Sequence, residues 1–238
     1  MLKKIIEITT DMCEKIEMAM LSKLKALLIT FGLRDEDPVK TRKELINFID
    51  SRAAFVSQIT LYTYVKARAG TQYPKLFENA DFLTSLKIAR WHIYGAAVCD
   101  LTLFAAAQLR VHGELSHDAA EQFAASILDD ILPNYPQDDI ADDKFAAMCA
   151  RGKQRAAIAD WSDIAVGPAA FQSSSDAVFR WAPIADELKC DDEEILRNSI
   201  HLRWIGVRRD LKAVFQHAAI ADDWHLHGAT SAAQLAAK

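Results

Sequence analysis

The acidic run Asp138-Asp139-Ile140-Ala141-Asp142-Asp143 is the first place in this sequence where residue type and spacing could do chemistry. On a helix, carboxylates one, four and five positions apart form two pairs on adjacent turns, a spacing that can hold Mg²⁺ against a diphosphate. Asp138, Asp139 and Asp142 are therefore the candidate metal ligands, and Mg the one cofactor the sequence suggests. The same acids suit a second role, because the run follows Pro136 and negative charge in a first helical turn is favoured by the helix dipole. Asp129 and Asp130 lie near a helix C-terminus, where that account fails, and they imply basic groups nearby.

Asp100 is the next departure. Its one-turn neighbours Ala96, Ala97, Leu103 and Phe104 are all apolar, so its carboxylate is aimed into an oily face and needs a partner. Arg52 is its counterpart, flanked by Phe48, Ile49, Phe55 and Val56, with His92, Arg90 and Arg68 as alternative partners. If the segments around them form an antiparallel hairpin, the two positions fall within about one turn of each other. The expectation is a buried Arg52 to Asp100 ion pair that fixes register between two greasy helices or lines a polar pocket.

The acidic run resembles the Asp-Asp-x-x-Asp element of isoprenoid synthases over six residues of the chain. A second aspartate-rich motif is missing, since Asp222-Asp223 is followed by Trp-His-Leu-His. The resemblance implies a Mg-dependent enzyme acting on a phosphorylated or diphosphate ligand, and this is the alternative functional reading. A second charged candidate is the face of Arg197, His201, Arg208 and Lys212, opposite Leu196, Trp204 and Leu211. Five basic residues against the single acid Asp210 between 195 and 217 leave that stretch at +4 in a chain of −5, which suits an anionic partner or internal docking. Phe48, Phe55 and Tyr62 recur at seven-residue steps and form a candidate apolar interaction stripe.

The elements that must position these groups are helices. In 238 residues, 51% are hydrophobic and only 8 are Gly and 6 Pro, which supplies a full core but little of the punctuation that sandwiches, barrels and Rossmann sheets need. A charge of −5 disfavours a globally basic nucleic-acid binder, and 26% charged with 9% aromatic is too ordinary for disorder. Cys13, Cys99, Cys149 and Cys190 are scattered without a Cys-x-x-Cys pair, so reduced thiols and a cytoplasmic setting are expected. Glu7, Asp11, Glu14 and Glu17 interrupt any signal peptide, and Met1 reads as the mature start. The 19 residues between Arg90 and Arg110 contain one formal charge, Asp100, and read as a core helix and not a membrane span.

Periodicity and caps predict a first helix over 10–31, a second over 38–69 opened by Asp37-Pro38, and a third over 80–112 from Asn79 to Gly113. Ser116 caps a fourth to about 132, a break follows at Pro133 to Pro136, and a fifth covers 139–165. The small-residue stretch 167–175 reads as a hinge, 176–188 as a short helix, and 191–222 as the last long helix. The expected architecture is all-α, an elongated helical bundle built on two long antiparallel helices (about 38–69 and 80–112) with about five more. It forms one domain over 1–226, with sub-bundles 1–132 and 137–226 and a frayed tail over 227–238. No nucleophile elbow, Walker loop or paired metal motif appears. The favoured function is a helical protein–protein interaction module, an adaptor, regulator or homo-oligomer, with nucleic-acid and membrane partners disfavoured.

Overall fold

The structure, a computed structural model, describes residues 37–132 and 143–235 and, within them, all side chains but those of 144–146, 169 and 227–235. The chain divides into two compact units, Met1–Pro38 and Val39–Lys238. The helix expected over 10–31 lies outside the described residues, as do Asp138, Asp139 and Asp142.

The second unit is all-α. Its helices are α1 (Arg42–Ala69), α2 (Tyr73–Leu76), α3 (Ala80–Val111), α4 (His117–Ile131), α5 (Asp143–Ala157), α6 (Trp161–Val166), α7 (Gln172–Trp181), α8 (Asp186–Val214) and α9 (His217–Leu235). Short 3-10 turns stand at Gly70–Gln72 and Ala169–Phe171. Among the described residues the only extended pairing is an isolated bridge between Val39 and Phe215.

That bridge moves two expected boundaries. Val39 N–H donates to Val214 O at 2.9 Å and Gln216 N–H to Val39 O at 3.0 Å. The helix expected to run through 222 therefore stops at Val214, where Phe215 turns extended, and a new helix starts at His217. At the other end α1 opens after Thr41, not at Pro38. The Thr41 hydroxyl accepts from Glu44 N–H while the Glu44 carboxylate accepts from Thr41 N–H, a capping box that satisfies two orphan donors together. Asn79 and Ser116 cap α3 and α4 as expected, each accepting from the N–H three residues on. The segment expected to fray from 227 continues α9 to Leu235.

The core is built around α3. Every residue from His92 to Leu109 is buried, and α1, α4, α5, α6 and α7 all pack on this one helix. Its composition would allow a membrane span, but the whole of its apolar window lies inside the protein. The Tyr94 hydroxyl bonds to Asp50 and ties α3 to α1. Arg42 closes the unit at the start of α1: its N–H donates to Asp223, and its guanidinium reaches Asp130 at 2.6 Å and Ser126 O at 2.9 Å. Asp129 meets Lys153 of α5. The two aspartates near the end of α4 thus find basic partners, on α1 and α5.

Where α9 begins, His217 stacks on His112 at 3.9 Å and meets the Phe215 ring edge-on at 4.9 Å. Burial and the neighbouring His112 both hold the His217 imidazole below its usual 6.5. Above that value both folded and unfolded states carry neutral imidazole, and as pH falls the unfolded chain takes the proton first. Stability is therefore expected to be complete above pH about 6.5 and to decline below it. Urea midpoints between pH about 7 and 5 should fall less steeply for His217→Gln than for the parent chain, and equal slopes would remove this histidine as the cause.

Candidate functional site

Asp100 sits at the middle of α3 with a fully buried side chain, and its partner is Arg155 of α5. One carboxylate oxygen takes the Arg155 guanidinium at 2.6 Å, and the other accepts the Ser174 N–H at 2.7 Å. Arg155 spends its remaining reach on the Ser173 hydroxyl and on Ala170 O at 3.2 Å. The Ser174 hydroxyl donates to Phe171 O and accepts from Trp204 Nε1 at 3.0 Å, so the polar chain runs on to α8. Burial pushes the Asp100 carboxyl above its usual range, against the pull of Arg155 and Ser174.

The expected Arg52 to Asp100 pair is thereby corrected. Arg52 lies over the Phe48 ring at 5.3 Å, and the acid it feels is Asp210 of α8. Around Asp100, from His92 to Leu109, α3 is enclosed on every side. Apolar neighbours prove that Asp100 is buried, but a helix without a solvent face does not reveal which packing partner its carboxylate meets.

Two further expectations change. The stretch 167–175 is no hinge: it anchors Asp100. Gly167 has φ +117, and a Cβ there would strike the Arg208 guanidinium, so the small residues serve close packing. The helix expected over 139–165 breaks after Ala157, where Asp160 accepts from Ser162 and Asp163 N–H and caps α6.

Beside Arg155 opens a cavity of about 440 Å³ between α3, α5 and α7. Arg151, Arg155, Arg180 and Asp176 are among the residues that line it, and His92 lies flat on Trp181 with ring centroids 3.6 Å apart. Its thiol wall is chemically quiet. Burial pushes Cys99 far above the ordinary thiol range, and the neighbouring Cys149 up to about 11, so neither supplies thiolate near neutrality. Among the described residues no three His, Cys, Asp or Glu side chains gather as a metal ion would require.

The expected anionic-partner face makes contacts within the protein: Arg197, His201 and Arg208 are half-buried, and Lys212 is exposed. Arg197 bonds to Glu193 and Asp176, and Arg208 to Val166 O with its guanidinium 5.9 Å from the Phe171 ring. Lys212 places its ammonium 5.6 Å from the Phe104 ring, and His201 is half-buried. Arg197 and Arg208 thus tie α8 to α7 and α6, the internal docking that the sequence offers as the other role for this face, although the partners are not the acids of 129–143. The aromatic stripe also dissolves, with Phe48 buried, Tyr62 half-buried against the core and only Phe55 exposed.

An exposed apolar face does exist, on α8. Leu196, Ile200, Trp204, Val207 and Leu211 form its buried inner side, as the sequence pattern indicates. On the opposite side Leu188, Ile195, Leu202 and Ile205 are 46%, 72%, 68% and 45% exposed. Sequence reasoning passed over this set because the stronger inner stripe masks it. The signal was present as alternating three- and four-residue steps through 188, 191, 195, 198, 202, 205, 209 and 212. No protein-family model matches this chain, and no curated protein or solved structure is similar to it. Function must be argued from these surfaces.

Proposed function

We propose that this protein is a helical protein–protein interaction module that works through the outer face of α8. The observation that carries the reading is the exposure of Leu188, Ile195, Leu202 and Ile205 on a helix already anchored by its other side. Single exposed apolar residues are ordinary, whereas four in line along one helix, with Asp191 and Asn198 between them, make a row of the kind that docks another chain. Their spacing is that of the a and d positions of a helix-pairing seam. A groove of about 340 Å³ between α1 and α8, lined by Thr63, Tyr64, Asp192 and Ile195, lies directly against the row and widens the surface.

The double substitution Ile195→Gln/Leu202→Gln tests the reading. These side chains are more than two-thirds exposed, so the urea midpoint in dilute solution should stay within about 0.5 kcal/mol of the parent. The parent should take up the apolar dye bis-ANS in dilute solution, and the variant should lose most of that uptake. A large drop in midpoint, or equal dye uptake by both chains, would remove α8 as the docking surface.

A further inference from the structure

The charges that flank this outer row are sorted by sign along the helix. The exposed charges beside it are the acids Glu187, Asp191 and Glu194 toward its start and the bases Arg209 and Lys212 toward its end, whereas Asp192, Glu193, Arg197, Arg203 and Arg208 are held by partners within the protein. We infer that the occupant of the face is a second copy of this chain, its α8 laid antiparallel across the first about a two-fold axis. The inference rests on the reading of α8 as an interaction surface and adds its partner and register.

Two copies of such a helix packed in parallel would set acid against acid and base against base. Packed antiparallel, each acidic half meets a basic half, and the symmetry presents every favourable pair twice. The seam spacing fixes the register, because an antiparallel pair places each a position opposite a d position of the other helix. Centring the pair between 198 and 202 sets Asp191 opposite the second copy's Arg209, Ile195 opposite its Ile205, and Asn198 opposite its Leu202. Arg209 is 70% exposed, where it bonds to the adjacent Asp210, and Asp191 is exposed, so both can reach across. Ile195, Leu202 and Ile205 fall between the flanking Asp191 and Arg209, as an interface core and rim require, and Leu188 lies beyond that flank. A different protein could also cover the row, but it would have to carry the same charge gradient in reverse, which this chain already does.

Sedimentation of the full chain over a range of concentrations tests the inference. The parent should dimerise, and Asp191→Arg or Arg209→Asp alone should raise the dimer Kd about tenfold or more, since each sets like charges opposite one another twice. The double variant Asp191→Arg/Arg209→Asp should return to within about threefold of the parent. A register readout accompanies it: in a Cys190→Ser background, Ile195→Cys with Ile205→Cys should form a disulfide-linked dimer on mild oxidation, and neither cysteine alone should. A parent chain monomeric at high concentration, or a double variant as weak as the singles, overturns the second-copy partner. The surface reading fails separately, through the bis-ANS and urea results for Ile195→Gln/Leu202→Gln. A monomer that still binds the dye through this face refutes the dimer alone.

Discussion

Arg155→Met should destabilise the fold by about 3–5 kcal/mol, the range for stranding one member of a buried ion pair. Asp100 has no exposed side-chain surface and Arg155 is its only described cationic partner, so the substitution leaves a carboxylate in an apolar seam with a single N–H donor from Ser174. Protonation of Asp100 is the available relief, and burial already pushes its carboxyl in that direction. The loss should therefore be smaller at acid pH than at neutral pH. Asp100→Asn/Arg155→Met removes both charges and keeps an oxygen for Ser174, and should recover more than half of the loss. Arg52→Met serves as the discriminating control. Urea unfolding of the three variants decides between the partners: a greater loss from Arg52→Met than from Arg155→Met would contradict the assignment.

How far this arrangement could be read from sequence depends on whether a residue's surroundings lie on its own element. Asn79 and Ser116 were legible because a cap is satisfied by N–H groups three residues away. The inner row of α8 was legible because helical period and burial coincide there. Asp100 was legible as buried and charged, yet its partner stands 55 residues on, with its second donor 74 residues on. Nothing local encodes either distance. The stretch 167–175 misled for the opposite reason: small residues read as looseness, while here they let α7 and α8 close on a shared polar chain. The Arg197, Arg208 and Lys212 face leaves an anionic partner and internal docking both open in the sequence, because the acids, carbonyl and rings that receive it belong mainly to other helices. Phe215 was assigned to helix because its extended conformation is imposed by Val39, a strand-like partner 176 positions away.

Trp204→Ala should cost a further about 3–5 kcal/mol, the range for emptying a large aromatic site in a close-packed core. Trp204 is wholly buried on the inner side of α8, stacks on Phe171 at 4.5 Å, and through that ring reaches Phe104 of α3. Its indole N–H also ends the polar chain that starts at Asp100. Trp204→Phe separates the two contributions, because it keeps most of the ring contact and removes the donor to the Ser174 hydroxyl, which retains its own bond to Phe171 O; a loss of about 1–3 kcal/mol is expected. Ser174 joins the two sites, its N–H bound to Asp100 and its hydroxyl to Trp204, so the sites should not act independently. Combining Trp204→Phe with Arg155→Met should cost less than the two alone, by about 0.5 kcal/mol or more, since either change already loosens the same turn. Strict additivity in urea midpoints would mean that Ser174 holds each side separately, and that α8 and the buried aspartate are neighbours without being coupled.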